Sequence, residues 1–235
     1  MSRTYRTWHS PALDRRMELL TFGERGMPVV VFPTSRGRFY QWEDFGMVAH
    51  LQDRIDSGNL QLWCVDSVDS ESFYDDERTP EERARRHVAY ERHIVDEVLP
   101  AVAEANPGSQ RCLLGASFGA FHAVTIALRY PDVARKVVCL SGAYDAARWL
   151  GSVRQGDCYF VNPLAFLPGL TDERYLAPLR ETEIIIATGD LDPNASESRV
   201  LAAHLQQKGV PAALHVWRGW SHDWPYWKDM VDAYL

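Results

Sequence analysis

Short apolar runs recur along the chain at Pro28–Phe32, Leu60–Val65, Arg111–Leu114, Lys136–Leu140, Glu183–Thr188 and Ala212–Val216. Each has the length of a strand, and most lack the polar alternation of a strand with one wet face. That is the pattern of a sheet covered on both sides. Arg16–Phe22 reads as an earlier strand of the same set. The stretches between them suit helices, around Glu43–Asp53, Thr79–Leu99, Phe118–Tyr130, Ser196–Lys208 and Trp224–Leu235. Thr79-Pro-Glu-Glu82 supplies a capping residue, a proline at the first helical position and acids in the first turn, which marks a helix start. Pro100 predicts where that helix stops. Strands alternating with helices imply an α/β domain with a mostly parallel sheet and helices on both faces. The rhythm breaks between Ser141 and Arg180, where Gly142, Gly151, Gly156, Pro163, Pro168 and Gly169 stand among aromatics. A long excursion of this kind inside a compact domain is usually functional, and residues 141–180 read as a small irregular lid.

The chain's 235 residues suit a single domain, 1–235, with a sizeable core. A net charge of −7 argues against nucleic acid as a partner, because binding phosphates needs a basic face. No apolar run approaches a membrane span. The basic N-terminus is not followed by an apolar stretch, so no signal peptide is visible and the default location is cytoplasmic. Whether the protein forms a homo-oligomer is left open. Of four cysteines, Cys64, Cys112 and Cys139 lie in apolar runs and read as buried. None, Cys158 included, belongs to a Cys-x-x-Cys pair, so no metal or redox cofactor is expected.

Arg111–Leu114 runs into Gly115-Ala-Ser-Phe-Gly119, and a helix-forming run leaves it. An apolar run, Gly-x-Ser-x-Gly and a helix form a nucleophile elbow, with Ser117 on a tight strand-to-helix turn. In open α/β sheets functional groups gather beyond the carboxyl ends of the strands. Searching there yields Asp190 and Asp192 after Glu183–Thr188, and His222 after Ala212–Val216. The order serine, acid, histidine is the one this fold uses. His222 would take the Ser117 proton and the acid would orient the imidazole. Asp192 is favoured for the acid, with Asp190 nearer the strand end and suited to holding the turn. His122, on the elbow helix, is a minor rival base whose position normally packs the helix on the sheet. His87, His93 and His204 read as surface residues of helices, His215 alternates on the last strand, and His9 and His50 have no evident partner. An oxyanion hole needs two backbone N–H groups: Phe118 supplies one, and Thr34 or Ser35 the other, since Pro33 has none. Aromatics gather near these positions, of which Tyr40, Trp42 and Trp220 are the candidates to grip an acyl or aryl group. Arg36 and Arg38 are candidate partners for a substrate carboxylate.

With these pieces placed, the chain resembles the putative-esterase family of α/β-hydrolases, which includes esterase D, feruloyl esterases, enterochelin-type esterases and mycobacterial mycolyltransferases. The resemblance runs from about Val29 to Leu235. It rests on Pro33-Thr-Ser-Arg-Gly-Arg-Phe-Tyr-Gln-Trp-Glu-Asp44, Ser72-Phe-Tyr74, Gly115–Gly119 and Ser221-His-Asp-Trp-Pro-Tyr-Trp227. It implies an α/β-hydrolase fold, no metal or cofactor, and a small-molecule ester cleaved through an acyl-serine intermediate. Many secreted relatives carry a Gly-rich His-Gly loop before the elbow, where this chain has Phe32-Pro-Thr-Ser35. An acyltransferase with the same triad, and a silent binding protein on the same fold, are the alternatives.

Overall fold

The computed structural model describes residues 1–235. Eight strands form one sheet: β1 (Arg3–Ser10), β2 (Arg15–Phe22), β3 (Met27–Phe32), β4 (Leu60–Val65), β5 (Cys112–Ala116), β6 (Lys136–Leu140), β7 (Glu183–Gly189) and β8 (Ala212–Trp217). Their order is β1-β2-β4-β3-β5-β6-β7-β8. β1–β2 and β2–β4 are antiparallel, and every other neighbouring pair is parallel. β5, the strand that leads into Ser117, therefore lies in the interior of the sheet.

Alternate residues of each central strand serve opposite faces. Val30, Phe32, Leu113, Val137 and Ile184 join one core, and Val29, Val31, Cys112, Leu114 and Val138 the other. Three short helices, α1 (Gln41–Asp44), α2 (Met47–His50) and α3 (Gln52–Asp56), stand where one helix was expected, because Gly46 with φ 72° separates the first two. They cover the second core through Trp42, Met47, Val48, Leu51 and Ile55. Helix α4 (Pro80–His93) starts where its capping box predicts, with Thr79 Oγ1 accepting from Glu82 N–H. It does not stop at Pro100. A π-helical turn, Ile94–Val98, carries the chain into α5 (Leu99–Ala105), and the widened turn admits the proline that a regular ladder would reject. The elbow helix α6 (Phe118–Arg129) is buried along nearly its whole length against the first core.

Two other expectations are corrected. β1, not expected from the sequence, precedes the first predicted strand; it is exposed along most of its length and so left no apolar signature. The stretch 141–180 is ordered into α7 (Ala147–Leu150), α8 (Gly156–Phe160), α9 (Pro163–Phe166) and α10 (Glu173–Arg180). Ala146, Leu150, Cys158, Val161, Phe166, Leu167 and Leu179 are its buried anchors. Helices α11 (Ala195–Gln207) and α12 (Trp224–Tyr234) complete the two faces.

All four cysteines are buried and free. Cys112 and Cys139 sit on neighbouring strands but are out of register: Cys112 faces Lys136, and Cys139 faces Gly115. Burial pushes the thiols of Cys64 and Cys139 well up, and that of Cys112 to about 12. No helix is long and apolar enough to cross a membrane.

Candidate active site

β5 delivers the chain into the elbow, where Ser117 is held at φ 55°, ψ −121°. Positive φ is costly for a residue with a Cβ, and such strain persists only where its surroundings enforce it. Here they do. Ser117 N–H donates to Leu140 O of β6 at 2.8 Å. A Cβ on Gly115 would lie 2.1 Å from the Gly119 carbonyl carbon, and one on Gly119 would lie 2.5 Å from Phe32 O. Both glycines of the motif are thus contact points at which strand, helix and the β3 exit touch backbone to backbone.

The loops after β7 and β8 bring the other residues in. His222 Nε2 lies 3.0 Å from Ser117 Oγ, and His222 Nδ1 lies 2.9 Å from Asp192 Oδ2. Asp192 is 5% exposed, and its second oxygen accepts from Asn194 N–H at 2.8 Å. Burial pushes this carboxyl up. The hydrogen bonds from His222 and Asn194 N–H, with the Ser141 hydroxyl nearby, outweigh it and hold the group below the usual carboxylate range. Asp190 instead accepts from Gly219 N–H at 2.7 Å, tying the β8 loop to the β7 loop. Asp192 is thus the acid that meets the imidazole, and Asp190 the one that bonds the turn's backbone.

The remaining histidines differ from the sequence reading in several places. His87 and His93 are fully buried rather than superficial, and burial lowers both imidazoles. His9 and His50 have partners after all, Asp14 at 3.2 Å and Asp232 at 2.9 Å. His204 is half-buried on α11, and His215 stacks on Tyr234. His122 turns away from Ser117: its Nε2 lies 3.0 Å from Asp69 Oδ1 in a wholly buried pair.

Of the two N–H groups considered on the β3 loop, that of Thr34 is occupied, donating to Gln41 Oε1 at 2.8 Å. The Ser35 N–H is taken by no group of the protein. Phe118 opens α6, so its N–H has no partner within the helix. The segment after β4 holds this loop from below. Asp66 Oδ1 accepts from Arg38 Nε at 2.7 Å, Ser67 Oγ donates to Gly37 O at 2.7 Å, and Asp69 Oδ2 accepts from Arg36 N–H at 2.8 Å. Arg38 is also paired with Glu18 and so is structural. The Arg36 guanidinium lies 4.6 Å over the Tyr74 ring and has no carboxylate partner in the protein.

The aromatic candidates separate as well. Trp42 is buried, its Nε1 donating to Phe32 O at 3.2 Å, so it packs the core instead of facing a ligand. Trp220 packs at a tilt against Trp217 and Tyr226 beside the last strand. Tyr40 is 40% exposed and edge-on to Phe39. The aromatics that do border the elbow are Tyr74, whose hydroxyl donates to Ser35 Oγ at 2.8 Å, and Trp149 of α7, with ring centroids 5.5 and 4.8 Å from Phe118. Tyr74 stood in the Ser72-Phe-Tyr74 segment already singled out; Trp149 carried no signal, lying in the stretch read as irregular.

The fold is that of an α/β-hydrolase, with Ser117 on its strand-to-helix turn after β5. Residues 10–234 match the model of the putative esterase family, and the chain belongs to that family and is a serine esterase. Solved structures share the fold across nearly its whole length. A ferulic acid esterase is 17% identical over 98% of this chain and 95% of that one, with a TM-score of 0.77. An S-formylglutathione hydrolase from Agrobacterium tumefaciens is 14% identical over 98% and 92%, with a TM-score of 0.74. The corresponding enzyme from Staphylococcus aureus is 14% identical over 99% and 96%, with a TM-score of 0.70. No curated protein matches the sequence.

Proposed function

We propose that the protein hydrolyses small-molecule esters through an acyl-enzyme on Ser117, with His222 as general base and Asp192 as its orienting acid. The observation that carries this reading is the continuous chain from Ser117 Oγ through the imidazole to a buried carboxylate, at 3.0 and 2.9 Å. Both distances lie within the range for proton transfer between positioned groups.

Ser117 Oγ attacks the ester carbonyl carbon while His222 Nε2 takes its proton. The carbonyl oxygen becomes an oxyanion, received by the N–H groups of Phe118 and Ser35. The positive end of α6 favours the same charge. As the intermediate collapses, His222 returns the proton to the departing alkoxide, leaving acyl-Ser117 and an alcohol. Water then attacks with His222 again as base, and the acid is released. Asp192, kept ionised by its hydrogen bonds, fixes the imidazole with Nε2 toward the serine. Tyr74 and Trp149 flank the elbow, and we assign them, ahead of Trp42 and Trp220, to contact with the substrate's apolar part.

The test is turnover of p-nitrophenyl esters of increasing acyl length, together with a feruloyl ester and S-formylglutathione. A fluorophosphonate should label the wild type, and Ser117→Ala should abolish both labelling and turnover. A folded Ser117→Ala that still hydrolyses ester would refute the assignment. Added alcohols should leave free acid as the main product; predominant new ester would point to acyl transfer instead.

A further inference from the structure

We infer that Asp69, locked by His122, is a positioning residue that sets the second oxyanion donor, and this rests on the reading of Ser117 and Ser35 above. Asp69 lies 1% exposed in the turn after β4 and uses both carboxylate oxygens. Oδ1 meets His122 Nε2 at 3.0 Å, and Oδ2 accepts from Arg36 N–H at 2.8 Å. His122 belongs to α6, the helix whose first N–H, from Phe118, is the other oxyanion donor, and its ring packs edge-on to Phe118 with centroids 4.6 Å apart. A single buried side chain thus joins the helix carrying one donor to the loop carrying the other.

The loop needs such a joint. Arg36 is held at φ 56°, a left-handed conformation that a residue with a Cβ adopts only under constraint. A loop of glycines would reach that conformation freely; here the sequence is Pro33-Thr-Ser-Arg-Gly37. Asp66 and Ser67 hold Arg38 and Gly37 farther along the loop; Ser35 itself lies between Thr34, tied to Gln41, and Arg36, the strained residue, which Asp69 holds. Removing its carboxylate would leave the Arg36 N–H unpaired and release the strained residue, so that the Ser35 N–H drifts from where the oxyanion forms. A displacement of about 1 Å at a reacting centre is enough to cost on the order of 10²-fold in rate.

Asp69→Ala should therefore lower kcat on the order of 10²-fold with little change in KM. It should weaken binding of a trifluoromethyl ketone, which forms an alkoxide on Ser117 within the oxyanion hole, by a similar factor. Asp69→Asn keeps a carbonyl oxygen for Arg36 N–H and, once His122 takes the tautomer with its proton on Nδ1, an amide donor for Nε2, and should recover most of both. A general loosening of the fold would not move kcat and ketone affinity together or be relieved by asparagine alone. Folded Asp69→Ala with wild-type kcat and ketone affinity would overturn the inference. Should that variant not fold, His122→Phe keeps the aromatic packing and removes the Nε2 contact. It should show the same paired loss in milder form, and wild-type values there would equally overturn it. Ser117→Ala, assayed in parallel, separates the two readings. If it retains turnover, the nucleophile is misassigned; if it is inactive while Asp69→Ala behaves as wild type, only the positioning role fails.

Discussion

At the scale of the residue, Asp192 couples chemistry to pH. Its carboxyl titrates below the ordinary range because its hydrogen bonds outweigh its burial. A depressed folded pKa contributes stability above the unfolded value, about pH 4, and loses it as pH falls through the folded value. Asp192→Asn should thus unfold at lower urea than the wild type at about pH 6, and the gap should narrow below about pH 4. A gap that stays constant down to about pH 3 would contradict the assignment. The same substitution should lower turnover by roughly 10⁴-fold at neutral pH, through loss of the correct tautomer. Ser117, His222 and an acid, Asp192 or Asp190, could be put forward as candidates from sequence because each follows a recognisable strand and their chain order is constrained. Asp69 and His122 were not, because a buried pair 53 positions apart has no local pattern. Trp42 misled for the opposite reason: an aromatic in a loop segment near a site looks the same in sequence whether it faces ligand or core.

At the scale of the element, the segments that announced themselves were those with local chemistry. The capping box at Thr79 fixed the start of α4, and the apolar runs located seven of the eight strands. β1 escaped because it is an exposed edge strand held by pairing with β2, which composition does not record. Pro100 gave a false stop because one widened turn absorbs the lost N–H and the ring. Residues 141–180 looked irregular because three of their four helices, of four or five residues, are too short to show a 3.6-residue period, and Pro178 interrupts the fourth. Thr79→Ala removes the side-chain acceptor at the head of α4 and should cost about 1 kcal/mol. In a chain of this size that is a fall in Tm of about 2–4 °C, measurable by calorimetry. Turnover should be unchanged, since α4 contributes none of the triad.

At the scale of the whole molecule, the candidate site gathers in loops at the carboxyl ends of the parallel strands, while two separate cores fix the sheet between helices. The parallel, covered sheet was legible from its continuous apolar runs; the order of its strands was not, since no run states its neighbour. The four buried thiols give this architecture an unintended gauge. Three of them are spread across β4, β5 and β6, and the fourth sits in α8. Burial suppresses their ionisation, and the thiolate is the reactive form. Native enzyme at neutral pH should therefore resist alkylation by iodoacetamide and keep its activity. In increasing urea, modification of the strand cysteines should accelerate in step with global unfolding, whereas a faster reaction at Cys158 alone would report α8 opening first. Mass spectrometry of the modified peptides would then time, region by region, how the enzyme comes apart, with no label added to the sequence.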